Sequence, residues 1–116
     1  MSAPKDIRPP GDRTYELEHV AIGTDVRVSA MTLSGDQCVQ WHWHSETSDI
    51  FFCLEGEALI QMKGAGPDVR IAVGERFDVK PGVAHRVSPV DGKRCRLVLV
   101  QGVGKTDFHL GDDARA

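Results

Sequence analysis

The most informative stretch of the sequence is Trp41-His42-Trp43-His44-Ser45-Glu46-Thr47-Ser48-Asp49. His42 and His44 are separated by one residue, and residues two apart in a β-strand point to the same face of the sheet. Their backbone positions are then roughly 6 to 7 Å apart, a span that one metal ion can bridge. Asp49 can return a carboxylate to that face if residues 45–48 connect two neighbouring strands. The stretch therefore predicts metal ligands carried by strands.

A third imidazole is available further along the chain. His85 lies three positions after Gly82 of the Pro81-Gly82 turn, at the entrance to another predicted strand. Three neutral imidazole nitrogens and one carboxylate oxygen suit a divalent transition metal such as iron, manganese, nickel or zinc. We predict His42, His44, Asp49 and His85 as the metal site, with Asp49 either a ligand itself or a group that orients a ligand histidine.

Four further residues are assigned roles from their position beside these ligands. Glu46, in the loop after His44, is a candidate acid–base group, although a glutamate in such a loop is more often simply solvated. Gln40, Phe51 and Cys53 have the same parity along their strands as the predicted ligands. Because parity decides the face of a strand, these three are predicted to line the pocket.

Two tryptophans alternate with the histidines. Trp41 and Trp43 have the opposite parity, so their indoles should lie on the outer face of the same sheet. Large aromatic side chains at such a place either pack within the chain or form an interface between copies. We therefore predict a homodimer as one of two uses of this face.

The rest of the chain reads as short strands without a helix. Apolar residues repeat with period two, or form short apolar runs, in segments 26–30, 39–44, 50–54, 58–63, 69–73, 76–79, 85–88 and 95–101. Gly, Pro, Asp or Ser bounds each segment, a pattern typical of an all-β sandwich or barrel. We predict one domain over residues 15–110, with a flexible N-terminal segment over 1–14 and a flexible C-terminal tail over 111–116.

Composition narrows the classes of function. The chain has 116 residues, 41% of them hydrophobic and 27% charged, which suits one ordinary globular domain. Its formal net charge of -3 gives no attraction for a phosphate backbone, so nucleic acid is disfavoured as a partner. No run approaches the roughly 20 apolar residues of a membrane span, and the opening residues lack the apolar centre of a signal peptide. Three widely spaced cysteines suit reduced thiols, and a cytoplasmic location is predicted.

Two spaced motifs resemble those of small single-domain cupins. The first cupin motif is matched by Gly35, His42, His44, Asp49 and Gly56, and the second by Gly74, Pro81, Gly82 and His85. The chain departs from the usual pattern in four places: Asp49 stands where Glu is common, Pro81 falls one position later, Pro89 replaces a terminal Asn, and Gly35 lies one residue further from His42.

The resemblance implies a double-stranded β-helix, or jelly-roll barrel, and a function. Small cupins include metal-dependent dioxygenases, isomerases and lyases acting on small oxygenated molecules, and members with this layout are often compared with sugar-phosphate isomerases. We therefore expect a metalloenzyme for a small oxygenated metabolite. The alternative is a barrel that binds a sugar or another small molecule without catalysis.

Overall fold

The computed structural model describes residues 15–112. The predicted flexible segment 1–14 and residues 113–116 of the predicted tail lie outside the described residues. Gly111 and Asp112 contact the domain, since the Gly111 N–H donates to the Trp41 carbonyl at 2.8 Å and Lys63 Nζ lies 3.6 Å from Asp112 Oδ2. Within 15–112 no helix has the length and apolar character needed to cross a bilayer.

The described chain folds into ten strands. They are β1 (Glu16–Ile22), β2 (Val26–Leu33), β3 (Val39–Trp43), β4 (Ser48–Glu55), β5 (Glu57–Met62), β6 (Val69–Ala72), β7 (Arg76–Val79), β8 (His85–Pro89), β9 (Cys95–Gly102) and β10 (His109–Leu110). Strands β2 to β9 correspond to the eight predicted segments. The predicted all-β class is confirmed.

The strands form two antiparallel five-stranded sheets. The order is β1-β2-β9-β4-β7 in the first sheet and β10-β3-β8-β5-β6 in the second. Except for β1–β2 and β5–β6, strands that are consecutive in the chain lie in different sheets, which is the winding of a double-stranded β-helix. The predicted jelly-roll barrel is therefore confirmed.

The two sheets enclose one apolar core. Inward-facing side chains alternate with outward-facing ones, as in β4, where Phe51 and Cys53 are buried between more exposed neighbours. Leu33, Ile60 and Leu97 from other strands are completely buried in the same core. This core fills one part of the barrel and leaves the other part to polar residues.

The tryptophan side chains pack within the chain on the outer face of the second sheet. The Trp43 ring stacks on His109 with centroids 4.1 Å apart, and Lys63 Nζ lies 5.7 Å from the Trp41 ring centroid. Both indoles are half-buried by these contacts. These contacts within the chain bury part of the surface of each indole ring. The homodimer remains a prediction.

Candidate metal centre

The four predicted metal ligands meet inside the barrel. His42 in β3 and His85 in β8 are directly opposed in the second sheet, His44 follows the end of β3, and Asp49 lies in β4 of the first sheet. All four side chains are buried, and each offers a ligand atom within 4.8 Å of the others. The geometry brings together the residues that the sequence predicts.

The Asp49 carboxylate lies at the centre of the cluster. Its Oδ2 atom is 2.7 Å from His85 Nε2, 3.1 Å from His44 Nε2 and 3.6 Å from His42 Nε2. The shorter side chain of aspartate therefore reaches all three imidazoles. Asp49 is placed to be a ligand, although the same position would also let it orient the histidines.

Backbone carbonyls fix the orientation of the three imidazoles. The Nδ1 atoms of His42, His44 and His85 lie 2.7, 2.5 and 2.8 Å from carbonyl oxygens. These oxygens belong to Gln40, Asp107 and Val83, respectively. A carbonyl oxygen can only accept, so each Nδ1 carries the hydrogen and each Nε2 of a neutral ring presents a lone pair to the centre.

The donor set fits a divalent transition metal. Three Nε2 lone pairs and a carboxylate are all acceptors, and acceptors that face one another in a buried site repel unless a cation or protons lie between them. Imidazole nitrogen and carboxylate oxygen are ligands that iron, manganese, nickel and zinc accept. His42, His44, His85 and Asp49 would hold such an ion.

The charges of the cluster are set by burial and by Asp49. Burial lowers the pKa of His42 to about 4, with the nearby His85 acting in the same direction. Burial opposes charge on His44 too, but the Asp49 carboxylate outweighs it and raises the pKa of His44. Burial alone would raise the pKa of Asp49, yet His44 and the hydrogen bonds from the imidazoles hold it well below its usual range. Without a metal, the cluster thus favours a carboxylate paired with one protonated imidazole.

Gln101 extends the polar cluster along the first sheet. It lies in β9 directly opposite Asp49, and its Nε2 donates to Asp49 Oδ1 at 3.1 Å. The side chain is buried. Gln101 therefore fixes the rotation of the carboxylate, a role that no motif in the sequence indicates because it depends on the pairing of β9 with β4.

A cavity adjoins the metal centre on one side. It opens to solvent at its mouth, and its walls are mostly apolar. The lining residues are Tyr15, Leu17, His19, Ser29, Met31, Val39, His42, Asp49, Phe51, Leu99, Gln101 and Phe108. A small molecule in this space would lie against two of the candidate ligands.

His19 and Phe108 are among the cavity residues that the sequence does not predict as part of the site. His19 Nδ1 lies 2.9 Å from Ser29 Oγ, so the pair places an imidazole and a hydroxyl on the wall. The Phe108 ring stacks on His42 with centroids 4.7 Å apart and planes 2° from parallel. The Phe108 contact joins segments 66 residues apart, and the His19 contact depends on the pairing of β1 with β2, so local patterns reveal neither.

Of the three residues predicted to line the pocket, Phe51 does so, and two lie elsewhere. Gln40 is exposed, because a bulge in β3 between Val39 and His42 shifts the parity so that Val39 faces the cavity instead. Cys53 is buried in the core further along β4, where its thiol lies 3.4 Å from the Gly56 carbonyl. The pocket prediction was wrong for these two residues.

The predicted acid–base candidate Glu46 also lies away from the cavity. Its side chain is exposed, and its Oε1 lies 3.5 Å from the backbone nitrogen of Lys105. The loop that connects β3 to β4 turns this residue toward the C-terminal segment. The structure therefore gives Glu46 a place in loop packing, whereas His19 is a histidine, outside the cluster, that lines the cavity.

A protein-family model described as Cupin domain matches residues 30–101. The chain belongs to the cupin family. Its motif residues from His42 to His85 fall within the matched region, as expected for the conserved barrel. Among proteins of curated function, none has a sequence that matches this cupin.

Solved structures share the fold of this cupin. A conserved protein with a double-stranded β-helix domain from Klebsiella pneumoniae has 23% identity and a TM-score of 0.74, over 95% of this chain and 91% of that chain. The DMSP lyase DddQ of Ruegeria pomeroyi has 16% identity and a TM-score of 0.71, over 87% of this chain and 54% of that one. Oxalate decarboxylase of Lactobacillus farciminis has 8% identity and a TM-score of 0.71, over 84% and 31%. At these identities the likeness shows the fold alone.

Proposed function

We propose that this cupin is a metal-dependent enzyme that acts on a small oxygenated metabolite. The observation that carries the proposal is the buried group of four candidate ligand atoms, within 4.8 Å of one another, beside a mostly apolar cavity. A bound divalent ion would supply Lewis-acid polarisation of a substrate oxygen or, with iron, redox chemistry with dioxygen. Lyase, isomerase and dioxygenase reactions all use one of these.

His19 is the proposed proton-transfer group of this enzyme. It lines the cavity, and its Nδ1 lies 2.9 Å from Ser29 Oγ, which fixes the ring so that Nε2 is the atom that can exchange a proton. A histidine is suited to this role because its ordinary pKa lies close to neutral pH. The apolar lining around it would keep bulk water from a bound substrate.

The first experiment determines the metal content of the untagged protein by elemental analysis. We expect near-stoichiometric iron, manganese, nickel or zinc in the wild type, and its loss in the His42→Ala/His44→Ala double variant. The metal found selects the assays, with oxygen uptake first for iron. A wild type that lacks metal and cannot be reconstituted would contradict the proposal and favour the module that binds a small molecule without catalysis.

Two single variants separate metal binding from proton transfer. His85→Ala should abolish turnover through loss of the metal, and the variant should still fold, with the lower melting temperature expected of the metal-free protein. His19→Asn should keep the metal and the fold but lower kcat by about 10² or more, since proton transfer is commonly worth 10² to 10⁴. Unchanged kcat in His19→Asn would exclude this residue as the proton-transfer group.

A further inference from the structure

An arginine faces the interior of the barrel next to the metal centre. Arg27 lies in β2 two residues before Ser29, and the pairing of β2 with β9 is regular throughout, so both side chains lie on the same face. Ser29 is buried and lines the cavity. Arg27 is therefore on the cavity side of its strand.

Arg27 belongs to the same row of residues as the metal centre. It is directly opposite Gln101 in β9, and Gln101 is directly opposite Asp49 in β4. Directly opposed side chains begin about 4.5 to 5.5 Å apart at their Cβ atoms. Arg27 therefore lies two strands away from Asp49 in the same sheet. Gln101, whose side chain lines the cavity, lies between them.

Two nitrogen atoms of this guanidinium are buried and have no partner among the described residues. Arg27 Nε and Nη1 are shielded from solvent, and neither has a hydrogen-bond acceptor within residues 15–112. Across that part of the chain, Arg27 also makes no ion pair with a carboxylate, unlike Arg70 with Glu57 or Arg94 with Glu55. A buried, charged hydrogen-bond donor destabilises the folded protein unless it is paired. These two atoms therefore indicate that an anionic partner is missing.

We propose that Arg27 binds a carboxylate of the substrate and sets the specificity of the site for small carboxylic acids. This inference rests on the proposed function, because it takes the cavity as the place of reaction. A guanidinium has the planar donor geometry that a carboxylate matches. The apolar walls of the cavity suit a short hydrocarbon body beyond that carboxylate.

Binding of 3-methylbutanoate to the full chain tests the proposal. Protein-observed NMR titration, with Zn²⁺-loaded and with metal-stripped protein, compares this anion with its neutral amide, 3-methylbutanamide, and with inorganic phosphate. We expect the carboxylate to bind at least about tenfold more tightly than the amide. Absence of binding, equal binding of the amide, or preferred binding of phosphate would overturn the carboxylate assignment.

Variants of Arg27 identify the residue responsible. Arg27→Gln should weaken carboxylate binding at least about tenfold in both metal states, and Arg27→Lys should retain part of it because the charge remains. Arg70→Gln, which removes an exposed arginine from β6, is the matched control and should bind as the wild type does. Equal affinity in Arg27→Gln and the wild type would overturn the proposal.

Thermal unfolding separates recognition from a structural role. Because the two buried nitrogens have no partner in residues 15–112, Arg27→Met should unfold at the same temperature as the wild type or higher when no ligand is present. A fall of more than about 5 °C would show that Arg27 holds the fold together and would contradict the inference. The protein could prove to hold no metal and still bind the carboxylate through Arg27. That result would contradict the proposed function and leave the role of Arg27 intact.

Discussion

At the scale of single residues, Asp49 controls the protonation of the imidazoles around it. His42 and His44 are both buried, yet burial lowers the pKa of His42 to about 4 whereas Asp49 raises the pKa of His44. The two rings differ because Asp49 Oδ2 is 3.1 Å from His44 Nε2 and 3.6 Å from His42 Nε2, and because Asp107 also raises the pKa of His44. The carboxylates of Asp49 and Asp107 thus favour a proton on His44 over one on His42.

Replacing Asp49 with asparagine should reverse the direction of the shift at His44. In the metal-free wild type we expect the His44 ring to titrate above its ordinary pKa of 6.5, and in Asp49→Asn below it, because Asp49 is the largest of the groups that oppose burial and Asp107 contributes less. NMR titration of the ring protons measures both values. Asp68→Asn, in an exposed loop, should leave them unchanged, and a His44 pKa still above 6.5 in Asp49→Asn would contradict this account.

Gln101 should affect metal affinity without being a ligand. Its amide donates to Asp49 Oδ1 at 3.1 Å, and groups that orient a ligand typically contribute 10- to 100-fold to affinity. We expect Gln101→Met, which keeps the length but removes the donor, to weaken metal binding by about that factor in a competition titration against a chelator. Gln61→Met, which removes a partner of Arg86 in the other sheet, is the control and should bind metal normally.

The cluster of candidate ligands could be predicted from the sequence, whereas the residues that position these side chains could not. His42, His44, Asp49 and His85 lie within two short motifs whose spacing follows from the pleat of a strand. Gln101 reaches Asp49 through the pairing of two strands that are 52 residues apart at this point, and nothing in the local pattern of β9 marks it. Long-range strand pairing is the information that the single sequence lacks.

At the scale of secondary-structure elements, the strands that the sequence did not predict are irregular or very short. β1 has a break in its register between His19 and Ala21, so its apolar residues do not alternate cleanly, and β10 has two residues. The bulge in β3 likewise explains why strict alternation placed Gln40 in the pocket. Regular alternation predicted β2 and β4 to β9 because those strands keep one face on the core.

The hairpin that joins β4 to β5 depends on a glycine. Gly56 has φ of +72°, and a Cβ atom there would lie 2.3 Å from the Arg94 carbonyl oxygen. We expect Gly56→Ala to lower the free energy of unfolding by about 2 to 5 kcal/mol, from the positive φ and the steric overlap together. Gly64→Ala has a similar φ of +69° but open space around it, so about 1 to 2 kcal/mol is expected. Urea denaturation compares the two, and equal losses would contradict the steric contribution.

The segment after β9 closes the barrel over the metal centre. The Asp107 carbonyl accepts a hydrogen bond from His44 Nδ1, Phe108 stacks on His42, and β10 pairs with β3. We expect Phe108→Ala to increase the rate at which EDTA removes the metal by about tenfold or more, because the ring no longer covers His42. Val103→Ala, at a highly exposed position of the same segment, should leave that rate unchanged.

At the scale of the whole molecule, the metal centre joins the two sheets. His42 and His85 belong to the second sheet and Asp49 to the first, so one ion would connect both sides of the barrel. A ligand that binds the folded state alone stabilises it by about 2.7 kcal/mol at 100 times its dissociation constant. Removing the ion should therefore destabilise the entire domain and leave the secondary structure of either sheet unchanged.

Chelation of the metal should lower the melting temperature of the wild type by about 10 to 20 °C, since 1 kcal/mol corresponds to about 4 to 8 °C in a domain of this size. Differential scanning calorimetry with and without EDTA measures the shift. The His42→Ala/His44→Ala double variant retains Asp49 but lacks the ligands on β3, so its melting temperature should not respond to EDTA or added metal. If the melting temperatures of the two proteins respond equally to EDTA, the stabilising ion binds elsewhere. If the melting temperature of a metal-loaded wild type does not respond at all, the sheets are held together by their apolar core alone.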